Sequence, residues 1–297
     1  QVRRRRPRTT RDAPAAIVSR RLHDFGPPDD QGVRLLEPAD GPPIAHRVEV
    51  VALSSYLDDM LGFDPRNGMS TADWLFTPTK RLLEMTAGDV FEDRRAMLTP
   101  VRAGLAWYPH DVWLFAIARQ WQRISQQEAF VGRSAEAGDE IGARIVTARI
   151  VRDLMRLCFL FERRYAPYGK WLGTAFSHLA CAGDLAPLFE QALEAANYDD
   201  PEAALASAYE RVAAMHNALG ITLSLDPRVR PYYGRPYSVL RADRFAAATL
   251  DALDPAFRAS VDHIPGIIDQ IVDNTDILEN PESWRAVREA DVARGEP

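Results

Sequence analysis

The chain has 297 residues, of which 46% are hydrophobic and 26% charged, a composition that excludes wholesale disorder. Its formal net charge of −6 disfavours non-specific binding to nucleic acid, because affinity for phosphates comes from cations. The sequence contains no apolar run of about 18 residues and starts with no apolar export segment. Its two cysteines, Cys158 and Cys181, are too few for a disulfide framework. We therefore expect a cytoplasmic protein with no membrane partner.

Residues 1–30 are predicted to be a disordered or atypical arginine-rich tail. Residues 1–11 contain six arginines and no acidic residue, and the Gly26-Pro27-Pro28 sequence further along breaks any regular element. An arginine run of this kind is either a solvated tail or an arm that binds nucleic acid, and the solvated tail is the commoner case.

Residues 31–60 contain two strand patterns and are predicted to form a small α/β segment. Residues 32–37 (GVRLLE) carry the weaker pattern, whereas residues 47–53 (RVEVVAL) are rich in β-branched side chains. Alternation places Glu49 on the strand face that also carries Arg47 and Val51. A single acid in such a strand is a candidate metal ligand if a neighbouring strand supplies further carboxylates. Otherwise it is a residue of an exposed face.

Residues 61–297 are predicted to form a helical domain. Four dipeptides pair a helix-capping side chain with proline, which is typical of helix starts: Thr77-Pro78, Asp200-Pro201, Asp254-Pro255 and Asn280-Pro281. Apolar residues at helical spacing predict one helix over residues 111–130 and a longer one over residues 140–165. We expect the longer helix to be the central, largely buried helix of a bundle.

The densest group of candidate binding residues lies in residues 165–173, YAPYGKWLG. Tyr165, Tyr168 and Trp171 are expected to stack on a base or a sugar, while Lys170 contacts a phosphate. The alternative is a corner between two helices that amphipathic aromatic side chains pack.

The predicted helix over residues 140–165 also carries a row of arginines. Arg149, Arg152, Arg156 and Arg163 are spaced so that they share one helix face. They are expected to line either a cleft for a polyphosphate or, more commonly, a solvated face.

Three acidic residues repeat at helical spacing near the end of the chain. They are Asp269, Asp273 and Asp276, on a predicted helix that begins at Pro265. Three carboxylates on one face form either a Mg²⁺ site or, more commonly, an exposed acidic face.

The spacing of Arg211 and His216 matches the loose pattern of metal-independent helical ribonucleases. On an α-helix two residues at this spacing lie about 140° apart, so within one chain their side chains diverge. This interpretation is therefore the weakest of the catalytic hypotheses.

Seven short segments occur in the order found in one bacterial family. They are GDVFED (residues 88–93), AWYP (106–109), GR (132–133), GD (138–139), YAPYGKWLG (165–173), HNALG (216–220) and GRPY (234–237). Through these segments the chain resembles, from residue 32 to residue 285, the family catalogued as domain of unknown function 4037, which is nucleotidyltransferase-like.

The resemblance implies a mainly α fold, in which a remnant of a polymerase-β-type nucleotidyltransferase α/β unit precedes an all-helical bundle domain. It also implies transfer of a nucleotide from a nucleoside triphosphate to a small acceptor, with Mg²⁺ held by carboxylates. Glu49 matches one of those carboxylates in pattern and is the predicted catalytic residue and metal ligand. The family's Gly-Ser turn and acid pair are missing upstream, where Asp29-Asp30 is a poor substitute. We therefore expect a truncated chain with impaired or no activity.

The resemblance and the residue pattern together define the predicted substrate-binding residues. The pocket is expected to be lined by Tyr165, Tyr168, Lys170 and Trp171, with Arg133, Asp139, Asn217 and Arg235 as further polar candidates. The expected partners are a nucleoside triphosphate and a small-molecule acceptor; nucleic acid is expected only at the arginine-rich tail. The alternative function is a non-catalytic helical protein that binds a small ligand or an interaction partner.

Overall fold

The structure, a computed structural model, describes residues 50–194 and 199–295. The chain divides between Leu57 and Asp58 into two compact units. The predicted tail, the predicted strand over residues 32–37, Asp29-Asp30 and Glu49 lie outside the described residues. The structure therefore bears on the predicted helical domain and on the last residues of the predicted α/β segment.

The described part of the first unit is the short stretch of residues 50–57. Residues 50–52 have no regular secondary structure, and helix α1 (Leu53–Leu61) begins directly after them. The carbonyl of Ala52 accepts a hydrogen bond from the N–H of Tyr56 at 2.9 Å. The backbone therefore enters a helix where the predicted strand over residues 47–53 should end, and over residues 50–53 the strand prediction is wrong.

The second unit is mainly helical over its described residues, as predicted. Its first half contains α2 (Thr71–Phe76), α3 (Thr79–Thr86), α4 (Thr99–Gly104), α5 (His110–Gln127), α6 (Phe130–Glu136), α7 (Glu140–Phe161) and α8 (Leu172–Phe176). Its second half contains α9 (Ala182–Glu194), α10 (Asp199–Ala218), α11 (Asp243–Asp251), α12 (Pro255–Val261), α13 (Ile268–Ile271), α14 (Thr275–Glu279) and α15 (Pro281–Gly295). Within the described ranges, each helix is too short or too polar to cross a membrane.

Helices α5 and α7 form the centre of the bundle. Helix α7 packs against α5, α6, α9 and α10, which confirms the predicted central helix, although it ends at Phe161 rather than at residue 165. Helix α5 is buried around most of its circumference and packs against α11 as well as α7. The ring of Trp121 on α5 lies 5.0 Å from that of Phe245 and 6.4 Å from that of Phe161. One indole therefore joins three helices.

Two predicted helix starts are confirmed by their capping hydrogen bonds. The carboxylate of Asp254 accepts bonds from the N–H groups of Ala256 and Phe257 at the start of α12. The side chain of Asn280 accepts a bond from the N–H of Glu282 at 3.0 Å, at the start of α15. These bonds satisfy N–H groups that have no partner within the helix.

The other two predicted helix caps differ. Thr77 donates its hydroxyl to the carbonyl of Asp73 at the end of α2. Helix α10 begins at Asp199, before Asp200.

A β-hairpin between α10 and α11 was missed by the sequence analysis. Its strands β1 (Arg230–Tyr232) and β2 (Arg235–Val239) pair antiparallel. The two turn residues, Tyr233 and Gly234, have positive φ angles of 46° and 78°, as a tight hairpin turn with the native strand twist requires. Tyrosine is uncommon in that conformation, so the dipeptide was not recognised as a turn.

Glu128, directly after α5, fixes the chain that follows the hairpin. Its buried carboxylate accepts hydrogen bonds from the N–H groups of Leu240 at 2.8 Å, Arg241 at 3.1 Å and Ala242 at 3.1 Å. Burial raises the pKa of Glu128 to about 7, while the three bonds oppose that shift. A single carboxylate thus holds the link between β2 and α11.

The hairpin packs on α6 through Tyr237. This side chain is buried, and a Cβ atom added at Gly132 would lie 2.3 Å from its Cγ atom. Only a residue without a Cβ atom fits at position 132 while the ring stays in place.

We expect Gly132→Ala to destabilise the protein by about 1–3 kcal/mol, the usual cost of overpacking a filled site. Gly183→Ala in α9 is the matched control, because a Cβ atom added there meets nothing within 4 Å. The control should be neutral or slightly stabilising, because alanine loses less backbone entropy on folding. Chemical denaturation measures both variants, and equal stabilities would contradict the described packing of Tyr237.

Candidate functional site

The second unit contains a cleft between α3, α7 and residues 267–279. Its volume is about 940 Å³, measured out to its open mouth. Further walls come from residues 107–108 before α5 and from residues 164–169 after α7. Aromatic and charged side chains line the cleft together, which is typical of a binding site for a small molecule.

Tyr165 anchors the aromatic wall of the cleft. Helix α7 ends at Phe161, and Arg163 has a φ angle of 53°, so the chain turns away from the helix there. The buried hydroxyl of Tyr165 donates to the carbonyl of Leu105 at 2.9 Å. The ring of Tyr165 lies 4.9 Å from that of Trp107 and 5.1 Å from that of Tyr108. These three rings form one rigid wall, the aromatic wall.

Asp269 joins three parts of the cleft. Its carboxylate accepts hydrogen bonds from the N–H of Thr79 at 2.8 Å and from the Thr79 hydroxyl at 2.9 Å, at the start of α3. Arg156 on α7 donates to the backbone carbonyl of Asp269 at 2.8 Å. Burial raises the pKa of Asp269, while the Thr79 bonds and the Arg156 charge oppose the shift. The carboxylate therefore acts as a helix cap supplied from a distant segment.

The predicted acidic face does not form as expected. Asp269, Asp273 and Asp276 do not lie on one helix, because α13 ends at Ile271 and α14 begins at Thr275. Asp273 instead forms an ion pair with Arg152 at 2.9 Å. In the described ranges, no three His, Cys, Asp or Glu side chains come together as a metal site. The predicted ligand Glu49 lies outside those ranges, so the magnesium prediction rests on the family resemblance alone.

The arginine row of α7 is divided between the cleft and the surface. Arg152 and Arg156 line the cleft, whereas Arg149 is exposed. Arg163 lies beyond the helix end and stacks on Trp113, its guanidinium carbon 4.4 Å from the ring centre. Burial lowers the pKa of Arg156, and the nearby Asp269 charge opposes that shift. The polyphosphate interpretation therefore concerns two of the four arginines.

Several hydrogen-bond donors on the cleft walls have no partner among the described residues. The buried indole N–H of Trp107 and the buried hydroxyl of Tyr108 make no hydrogen bond there. The guanidinium of Arg156 carries five N–H groups, and its only bond in that part of the chain goes to Asp269. Burial raises the pKa of Tyr108 well above its ordinary value, with Tyr165 and Asp269 adding to the shift, so its hydroxyl keeps its proton.

Of the four residues predicted from the YAPYGKWLG segment, two line the cleft and two do not. Tyr165 and Tyr168 line the cleft, and the ammonium of Lys80 lies 4.9 Å from the Tyr168 ring centre. Lys170 and Trp171 are exposed, and Trp171 lines a neighbouring groove. Lys170 and Trp171 belong to a 3-10 turn over Gly169–Trp171, which directly follows Tyr168.

The four further polar candidates lie away from the cleft walls, and each makes a contact within the fold. Asp139 caps α7 by accepting a bond from the N–H of Gly142 at 2.8 Å. Asn217 bonds both the carbonyl and the N–H of Leu225, at 2.7 Å and 3.0 Å. Arg235 pairs with Glu136, and Arg133 lies over the ring of Phe130. These contacts give the four residues a structural role, and their part in ligand binding stays a prediction.

His216 lies in the core rather than at a surface. Its Nδ1 atom accepts a hydrogen bond from the indole N–H of Trp121 at 3.1 Å, and its side chain is fully buried. Burial lowers the pKa of His216 to about 4. Arg211 is exposed, so the two residues of the ribonuclease hypothesis do not meet.

We expect the ring of His216 to protonate with a midpoint near pH 4, measured from its ring carbon shifts by NMR. The unfolded chain protonates this side chain at a pKa of about 6.5. Between those two pKa values the unfolded state binds the extra proton, so acidification through this range should lower the free energy of unfolding by as much as about 3 kcal/mol. A midpoint near 6.5 would contradict the described burial.

Sequence reasoning missed Thr79, Trp107, Tyr108 and the role of Asp269. Trp107 and Tyr108 were part of the AWYP segment of the resemblance, which was the available signal. The partnership of Asp269 with Thr79 spans 190 residues, and no local pattern indicates such a contact.

The fold and the cleft define a mainly helical protein with a polar, aromatic-walled pocket. Residues 74–172, a third of the chain, match the family described as Domain of unknown function (DUF4037), which is the family that the sequence resembles. The matched stretch contributes α3, α7 and the aromatic wall to the cleft. No curated protein and no solved structure matches the chain.

Proposed function

We propose that the cleft binds a small molecule that combines an anionic, acceptor-rich group with a ring. The observation that carries this proposal is the set of donors on the cleft walls: the unpartnered indole N–H of Trp107, the unpartnered hydroxyl of Tyr108, and the N–H groups of Arg156 beyond the one that bonds the Asp269 carbonyl. A buried donor without a partner costs free energy, which a ligand acceptor recovers.

The carboxylate groups that line the cleft already have hydrogen-bond or ion-pair partners. Asp269 bonds Thr79, Asp273 pairs with Arg152, and Glu279 pairs with Lys80 at 2.6 Å. The groups left for a ligand are therefore donors, and a phosphate or carboxylate supplies acceptors to match them.

The charge balance favours an anion in the same way. Arg156 is a half-buried cation whose hydrogen bond in the described structure goes to a neutral carbonyl, with the charge of Asp269 nearby. Arg164, which also lines the cleft, donates at 3.4 Å to the carbonyl of His178 and likewise has no ion pair among the described residues. An anionic ligand lowers the cost of burying Arg156.

The aromatic side chains provide the surface for the rest of the ligand. Tyr168 and the aromatic wall line the cleft, and aromatic side chains bind other rings by offset or edge contacts. A nucleotide has both the ring and the anionic group.

Nucleotide transfer to a small acceptor, with Mg²⁺, is the finer form of this proposal and rests on the family resemblance. The non-catalytic alternative is a helical protein that binds the same ligand class without consuming it. Consumption of a nucleoside triphosphate in the presence of Mg²⁺ distinguishes the two.

We expect ATP, GTP, CTP or UTP to raise the melting temperature, because a ligand at 100 times its dissociation constant stabilises the folded state by about 2.7 kcal/mol. Arg156→Gln should abolish the shift. Arg149→Gln, an exposed position on the same helix, is the matched control and should retain it. Cooperative melting with no shift for any nucleotide, with or without Mg²⁺, would reject the nucleotide.

Tyr108→Phe tests the unpartnered hydroxyl directly. The variant keeps the ring packing against Tyr165 and Trp107 but removes a buried polar group without a partner, so the free protein should be as stable as the wild type or slightly more stable. Ligand affinity should fall by roughly 1 kcal/mol, the net worth of one hydrogen bond. Melting with and without nucleotide measures both effects, and unchanged affinity would remove Tyr108 from the site.

A further inference from the structure

A second pocket lies beside the cleft and shares Gln270 with it. Its volume is about 740 Å³, measured out to solvent. One wall is the face of α5 that carries Arg119, Arg123 and Gln126, and the other wall begins at Asp262. Apart from Gln270, the residues that line this pocket are distinct from those that line the cleft.

Arg119 is a buried cation that forms no ion pair in the described part of the chain, where the charge of the exposed Asp262 carboxylate acts on it. Its side chain is about 91% buried, since 9% remains exposed. It donates to two neutral acceptors, the side-chain oxygen of Gln122 at 2.8 Å and the backbone carbonyl of Asp262 at 3.3 Å. Its Nε atom is buried and has no partner there. A guanidinium in this state is stabilised by a nearby anion.

Arg123 lies one helical turn from Arg119 and lines the same pocket. It donates to the backbone carbonyl of Gln270 at 2.5 Å, and its Nε atom lies 3.7 Å from the carboxylate of Asp153. The Asp153 carboxylate is also 3.9 Å from Arg152, so one acid faces two arginines. Arg123 therefore adds positive charge that a single shared carboxylate offsets only in part.

The side chains that line the pocket are mostly donors. Arg119 and Arg123 carry two positive charges, and the amides of Gln122 and Gln126 can add N–H groups. Asp262 is the one carboxylate among the described lining residues, and it is exposed.

We propose that this second pocket binds a phosphate group, held between the guanidinium groups of Arg119 and Arg123. Guanidinium groups recognise phosphate oxygens with paired, charge-assisted hydrogen bonds. The phosphate is either free inorganic phosphate or part of a small phosphate ester, since both present the same oxygens.

Calorimetric titration of the full chain with inorganic phosphate tests the proposal, with chloride used to hold the ionic strength constant. A parallel titration with glycerol 3-phosphate identifies the source, because the natural form binds more tightly. We expect saturable binding that Arg119→Gln abolishes. Absence of saturable binding for both probes would overturn the proposal.

Gln126→Glu provides a variant with little risk of misfolding, because Gln126 is exposed in the last turn of α5. Its added negative charge should weaken phosphate binding roughly tenfold by repulsion. Gln191→Glu, exposed in the last turn of α9, is the matched control and should bind phosphate as the wild type does. Equal affinities of the two variants would overturn the assignment to this pocket.

Arg156→Gln separates this proposal from the proposed function of the cleft. Phosphate binding that survives Arg156→Gln and is lost in Arg119→Gln belongs to the second pocket. Binding that is lost in Arg156→Gln and retained in Arg119→Gln belongs to the cleft, which would overturn the second site and leave the proposed function standing.

Discussion

The contact between Asp269 and Thr79 holds the cleft together. Helix α3 has no capping side chain of its own, because the residue before it is Pro78. The carboxylate of Asp269 satisfies the first N–H of α3, and the backbone carbonyl of the same residue accepts the bond from Arg156. Without Asp269 the helix start and the guanidinium would both lose a partner in a buried place. The positions of α3, α7 and the segment after residue 267 therefore depend on one another.

The carboxylates of the cleft already have partners within the fold, so most of the polar groups left on its walls are hydrogen-bond donors. Asp269 and Asp273, considered as magnesium ligands in the sequence, are committed to Thr79 and Arg152. Thr79 occupies the Asp269 carboxylate, while Asp273 is exposed and paired with Arg152. Under the proposed function, the donors that remain favour an anion. Residue types alone therefore indicated a charged site, and the partners of those residues are the basis for the proposed charge of its ligand.

The sequence predicted the parts of the fold that depend on local chemistry. The caps at Asp254 and Asn280 and the central helix α7 follow from capping residues and apolar spacing, which act within a few residues. The β-hairpin was missed because its turn places a tyrosine at positive φ. At that turn, tertiary packing outweighs local preference.

The candidate site was predicted only in part, for related reasons. Tyr165 and Tyr168 line the cleft, but the 3-10 turn over Gly169–Trp171 directs Lys170 and Trp171 elsewhere. Trp107 and Tyr108 matter to the proposed site because the indole N–H of one and the hydroxyl of the other lack hydrogen-bond partners. A missing partner is a property of the packed structure, and no spacing of residues in the sequence records it.

The separation of Asp269 from Thr79 also sets an order of events during synthesis, because residues 74–172 leave the ribosome well before residues 267–279. Closing so long a loop adds an entropy cost to that contact. The cleft is therefore incomplete until residues 267–279 have been made, and a fragment limited to residues 74–172 would lack one of its walls.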